Sequence, residues 1–389
     1  MGPQDVVITG IGLVSCLGEG TEAHWQAFRS PQLPPPVNTE AFPPYPVHMV
    51  PEIDLNLQIP KRGDQRQMEA WQRLGVYTAG LALDDAGMKS DETMCASMDM
   101  IVAAAGGERD VQVDETIMSG AGQAADFEVF LNERLTNDLR PTLFLAQLSN
   151  RLAGNISIVH KVTGSSRTMM GEEGAGISAL ATAVARLSSG QSTHMLVGAA
   201  IHNEAPDKLM VFETGQLLHQ GPWQPVWSRT GEGQGSIIGS GAAFLVLETR
   251  AHADARGRKA YATIEKVVAG RTKREGHALR DGIAALASDA GLASGSLIVS
   301  GATGMRDITQ AEEQALEAHA LRGYGSLTGH LREVQMPFGV AIAALALAHG
   351  EALPPISEPE KPFSGAPERV AATSVSTTRG EGIVVLARA

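Results

Sequence analysis

Apolar residues recur along this chain in two rhythms. Short near-continuous runs, VVITG at 6–10, MDMIVAAAG at 98–106, SSRTMM at 165–170 and STHMLVGAA at 192–200, end at glycine or small residues and predict buried strands. Between them lie longer stretches with helical spacing: 65–87, then 140–153, then GAGISALATAVARLSSG closed by Gly190. TEAHWQAFRS predicts a helix with Thr21 as its N-cap, after a loop GIGLVSCLGEG. Residues 31–60 are rich in proline and predict irregular surface chain.

Two strongly apolar runs, 235–250 and 260–270, predict neighbouring strands, and the polar HADARGRK between them marks the expected division into halves 1–250 and 251–389. Further on, a helix at 276–291, a strand at 296–300, helices at 309–321 and 334–349, and strands RVAATSV and GIVVLAR complete an alternation of strand and helix. Apolar strands alternating with helices predict an α/β protein whose sheets are covered on both faces.

With 389 residues the chain exceeds one simple core. A net charge of −12 argues against a nucleic-acid surface. RGRK at 256–259 and RTKR at 271–274 are local basic exceptions that read first as solvated surface. Two cysteines, Cys16 and Cys95, with no ligand-like histidine spacing, point away from metal sites and disulfides, and no cofactor is expected. No leader pattern and no apolar run of spanning length occurs, so a cytoplasmic protein without a membrane span is expected. The glycines after the first strand do not match GxGxxG, which disfavours dinucleotide binding.

The sharpest chemical signal is TMMGEEGAGISAL at 168–180. Ile177, Leu180, Ala181 and Val184 share one helix face, and few neighbouring side chains seek water, so the helix is buried nearly all round. Glu172 and Glu173 stand at its N-terminus. Free N–H groups and the helix dipole favour a carboxylate there by about 0.3–1 kcal/mol, so capping explains one acid well and two less well.

Over nearly its whole length the chain resembles the β-ketoacyl-ACP synthase family. The resemblance rests on VVITGIGLVSCLG, on RPTLFLAQLSNRLAGNISIVHKVTGSSRTMMGEEGAG, on QPVWSRTGEGQGSIIGSGAAFLVLE, on GATGMRDITQAEEQAL, on GSLTGHL and on TSVSTTRGEGIVVLAR. It implies a thiolase-like fold of five layers, αβαβα, built from two similar halves. It also implies departures at the site. Glu173 falls at the position of the family's nucleophilic cysteine, Gly301 at its first histidine, and Gly325 at its lysine. His330 keeps the second histidine, Glu312 matches the glutamate that holds the lysine, and Thr377 falls at the gating phenylalanine.

A carboxylate does not serve as a useful acyl acceptor, and glycine offers no oxyanion donor. The resemblance therefore implies a subunit like a chain-length factor. Such a subunit would pair with an active ketosynthase, or with itself, and act with acyl carrier protein in fatty acid (including very-long-chain), polyene or polyketide elongation. The alternatives are a malonyl-ACP decarboxylase and a 3-oxoacyl-ACP synthase with an atypical site. Glu173 is expected to accept N–H groups at the helix start, His330 to be a hydrogen-bonded core residue, and Glu312 to be solvated or locally paired. An acidic carrier would dock on Arg256, Arg258 and Lys259, or on Arg271, Lys273 and Arg274.

Overall fold

The computed structural model describes residues 2–389 apart from 142, 230, 232 and 233. Its first half contains strands β1 (Val6–Ser15), β2 (Asp99–Ala103), β3 (Ser166–Met169), β4 (His194–Ile201) and β5 (Gly241–Thr249), with helices α1 (Ala70–Asp85), α2 (Arg151–His160) and α3 (Glu173–Ser188). The second half contains β6 (Ala262–Gly270), β7 (Leu297–Ser300), β8 (Ala320–Gly323), β9 (Arg369–Val375) and β10 (Glu381–Arg388), with α4 (Ala278–Asp289), α5 (Arg306–Ala315) and α6 (Gln335–His349).

The strands run in the order β8-β7-β9-β10-β6-β1-β5-β4-β2-β3. Each half repeats one pattern. Its second strand lies between its third and fourth in parallel, its fifth is antiparallel to its fourth, and its first lies outermost, antiparallel to its fifth. A short antiparallel ladder, Val6–Ile8 with Ala262–Ile264, joins the two arrays.

Helices α3 and α6 pack on each other and on strands of both arrays, while α1 with α2 covers the outer face of the first and α4 with α5 that of the second. The result is five layers. The buried residues divide accordingly: one cluster around α3 and α6, and one beneath each outer layer.

Local composition explains these placements. Every residue of α6 from Gln335 to Leu347 is buried, as a helix with sheets on two sides requires. Gly176 lets α3 approach closely, because a Cβ there would come within 2.5 Å of the Glu333 carbonyl oxygen and 3.0 Å of Pro337. Gly350 at φ 66° ends α6 in the left-handed conformation that suits glycine.

Several expectations are corrected. β1 does not stop at Gly10 but continues to Ser15, paired with β5. Its glycines mark close packing, since a Cβ at Gly10 or Gly12 would overlap the α1 backbone at Ala82 and Thr78. The helix after it begins at Gly20 with Glu19 in the N-cap position, in place of Thr21, because Gly18–Glu19 first pairs with β1. The helix expected over 140–153 is a short Leu143–Ala146 turn followed by α2, which runs on to His160. The helix expected over 309–321 ends at Ala315. Despite its helix-forming residues, Ala320–Gly323 forms a buried parallel strand.

Candidate active site

Glu172 sits between β3 and α3 at φ 54°, ψ −138°, a conformation unfavourable for a residue with a side chain. This sharp turn puts Glu173 at the first position of α3, where it is 1% exposed. The chain returns 157 residues later through a tight turn ending at Gly329, φ 72°, which delivers His330. His330 Nε2 lies 2.6 Å from Glu173 Oε1, and both side chains are buried. Phe212 meets the imidazole edge-on at 5.9 Å between ring centres.

Burial pushes the Glu173 carboxyl up, but the His330 hydrogen bond and charge outweigh it, and with the Ser376 hydroxyl they hold the group down to about 2. Its own backbone N–H at the helix start also lowers the Glu173 carboxyl, whereas Glu172 makes no side-chain cap bond among the described residues. Instead Glu172 accepts from Arg332 at 3.3 Å, from Thr378 Oγ1 at 2.9 Å and from Thr377 Oγ1 at 3.4 Å. Thr377 and its loop are thereby fastened to the turn before α3. On the loop's other side Arg274 donates to the Ser376 carbonyl at 2.7 Å and to Glu381 at 2.8 Å.

The remaining predicted positions lie deeper. Gly301 follows β7, and a Cβ there would stand 2.9 Å from the Thr373 carbonyl oxygen, 3.0 Å from Tyr324 Oη and 3.4 Å from Gln335 Nε2. Tyr324 Oη donates to the Gln335 carbonyl. Gln335 Nε2 donates to the Gly301 carbonyl at 2.7 Å, and its Oε1 accepts from Leu331 N–H at 3.1 Å. Tyr324 and Gln335 thus occupy the volume beside Gly301 and tie its loop to that of His330. A Cβ at Gly325 would come within 2.8 Å of the Ala302 carbonyl oxygen.

Glu312 is neither solvated nor ion-paired among the described residues. It is fully buried, and its Oε1 accepts from Ser300 at 2.7 Å and Thr373 at 2.6 Å. Burial holds its carboxyl above the usual range, only partly countered by those hydroxyls. The sequence reading missed Tyr324, Gln335 and Arg332. The aromatic between two glycines in RGYGSL was the one available signal.

Glu173 and His330 form the floor of a cavity of about 670 Å³. Phe212, Leu217, Leu279, Met305 and Ile308 give it apolar walls, and Arg274, Arg306 and Arg332 also line it. Neither cysteine lines it. Cys16 is buried and donates to the Leu327 carbonyl, its thiol pushed up to about 12 by burial; Cys95 is buried and donates to Met88. Among the described residues no cluster of histidine, cysteine and acidic side chains could hold a metal ion, and no helix is long and apolar enough to cross a membrane.

Of the basic residues, Arg256 is committed to Glu248 and the Ala86 carbonyl, and Arg258 to carbonyls of Thr9 and Asp85. Arg274 is the loop clamp already described. Lys259, Arg271 and Lys273 are exposed.

This five-layer arrangement is thiolase-like, and comparison with known proteins supplies the family. A sequence model for the beta-ketoacyl synthase N-terminal domain matches residues 50–253, just over half of the chain. The chain belongs to the β-ketoacyl synthase family. It is 26% identical over 274 residues to 3-oxoacyl-[acyl-carrier-protein] synthase 2 of Vibrio harveyi, covering 68% of this chain and 62% of that protein. It is 27% identical over 276 residues to the tetracenomycin polyketide synthase ketoacyl synthase beta subunit of Streptomyces glaucescens, covering 69% and 63%. The matched region therefore spans somewhat less than two thirds of these relatives. The solved ishigamide ketosynthase/chain length factor superposes with a TM-score of 0.80 at 21% identity over 99% of both chains.

Proposed function

We propose that this chain is a synthase-like subunit without condensing activity of its own. It would pair with a cysteine-bearing ketosynthase and act with an acyl carrier protein in fatty acid, polyene or polyketide elongation. The observation that carries this is the buried Glu173–His330 pair at the floor of the cavity. An acyl group on a carboxylate would be an anhydride, quickly lost to water. The only histidine of the pair already spends Nε2 on Glu173, and no side chain at Gly301 can meet a developing oxyanion. Losing one such donor typically costs about 10²–10³ in rate. The same shortage disfavours malonyl decarboxylation.

The partner reading draws on the sheet edge. β3 is terminal in the strand order, with Ser166 and Arg167 exposed, and Phe144, Ile158 and Met170 are 67%, 52% and 65% exposed. An open strand edge among exposed apolar side chains suits a second thiolase-like subunit, either a ketosynthase or another copy. For the carrier, Arg271 and Lys273 fit better than the 256–259 cluster, whose arginines are committed within the fold. We also take 1–250 and 251–389 as the two halves, in keeping with the repeated strand pattern.

The test is condensation of acyl-ACP with malonyl-ACP by the purified chain, alone and with a cysteine-bearing synthase. The expected result is neither 3-oxoacyl product nor CO2 above background from the chain alone, and product with the partner. Product from the chain alone overturns the proposal.

A further inference from the structure

The open edge of β3 carries a charge that its own fold does not use. β3 runs parallel to β2, with Ile101 beside Arg167 and Ala103 beside Met169. The Ser165 and Met169 carbonyls accept from the Met100 and Ala104 N–H groups at 2.9 and 3.0 Å. Odd-numbered residues therefore spend their backbone groups inward. Strand alternation leaves the N–H and C=O of Ser166 and Thr168 pointing out of the sheet.

Within SSRTMM at 165–170, Arg167 is the one ionisable side chain. It is exposed, and its register places it on the face where Ile101, Ala103 and Met169 pack toward α3. The Asp99 carboxylate at the start of β2 is already taken by Arg186 at 2.7 Å. Among the described residues Arg167 has no ion pair.

A two-fold pair of copies would join these edges antiparallel. Outward backbone groups must meet outward groups, so odd residues oppose odd ones. Two registers then pair three of the four strand residues. One sets Arg167 directly opposite its copy. The other sets it opposite Met169, with the two arginines diagonal. Opposite residues in such a pair have Cβ atoms about 4.5–5.5 Å apart, and diagonal ones are about 7–8 Å apart. Opposed residues share a face, so either register brings two guanidiniums together, which is destabilising.

We propose that this edge selects against a second copy of the chain and for a different subunit of the same fold, one whose edge strand carries an aspartate or glutamate facing Arg167. This rests on the reading that the β3 edge is an interface, and it narrows that reading to one occupant. The carboxylate gives Arg167 a charge-assisted hydrogen bond, and the like charge of a copy supplies the repulsion that specificity needs.

The experiment is sedimentation velocity on the full chain, with its own Arg167→Glu variant as the acidic probe and one component fluorescently labelled. At low salt the mixed pair should associate about 10-fold more tightly than the native chain with itself, and the advantage should shrink at high salt. Arg167→Thr should self-associate more tightly than the native chain. Thr168→Pro removes an outward N–H without touching the β2 ladder, so it should keep the native melting temperature and abolish association in every arm. A native chain that binds itself as tightly as it binds Arg167→Glu, through an edge that Thr168→Pro disrupts, overturns the selection by Arg167 while the interface stands. Association that survives Thr168→Pro, or none in any arm, overturns the interface reading and the proposal with it. The central comparison needs only substitutions at an exposed position, so misfolding does not blur it.

Discussion

Replacing His330 by leucine removes the main described partner of Glu173 and leaves a carboxylate that is 1% exposed. Breaking a buried pair from one side typically costs about 3–5 kcal/mol. For a chain of this length the unfolding entropy is about 0.8 kcal/mol/K, so Tm should fall by about 4–6 °C at pH 7. The pH dependence fixes the cause. In the native chain the folded Glu173 carboxyl lies below its unfolded value of 4.5. Its stabilisation is therefore present above that value and lost only as pH falls toward about 2. In His330→Leu the same carboxyl has burial offset only by the Ser376 hydroxyl and its own N–H, the smallest of the lowering contributions, so its folded pKa lies above the unfolded one. Its penalty then disappears as acid neutralises it. The Tm gap between the two proteins should narrow between pH 7 and pH 4, and Glu173→Leu combined with His330→Leu should recover most of the loss at pH 7. Differential scanning calorimetry across this range reads both effects. A gap below about 1 kcal/mol, or one indifferent to pH, would refute a buried, hydrogen-bonded Glu173 carboxylate at the floor of the site.

Three further outcomes follow from named contacts. Gly301→Ala should cost about 1–3 kcal/mol by urea denaturation, because its Cβ meets the Thr373 carbonyl at 2.9 Å and Tyr324 Oη at 3.0 Å; an indifferent result would mean the loop is not packed. Glu172→Gly should be more stable than Glu172→Ala by about 1–2 kcal/mol, since only glycine adopts φ 54° freely, and the reverse order would remove the strain at the turn. Native protein at pH 7 should react slowly with a maleimide at both cysteines and rapidly in denaturant, as burial raises both thiols; fast native labelling of Cys16 would contradict its placement.

The layers were legible because strands covered on both faces show as unbroken apolar runs, and α3 and α6 show as helices with no polar side. The position of Glu173 at the head of α3 followed from the same pattern. Its bonding did not. Its partner lies 157 residues away, so local helix-end chemistry suggested caps where the fold supplies an imidazole. Glu312 was misread for a related reason. It sits on a helix with acidic neighbours at 313 and 317, yet its own side faces Ser300 and Thr373 on two strands. Gly10 and Gly12 looked like loop residues because nothing local distinguishes a glycine that turns the chain from one that admits a neighbouring helix. Ala320–Gly323 carried helix-forming residues and became a strand because β7 offered parallel pairing.

Whether residue 173 can carry an acyl group is read most directly by intact-protein mass spectrometry after incubation with acyl-ACP. The prediction is an unchanged mass for this chain, with any acyl adduct confined to a cysteine-bearing partner added to the mixture. A hydroxylamine-labile acyl adduct on this chain alone would contradict the assignment of Glu173 and His330 to a closed, non-condensing site.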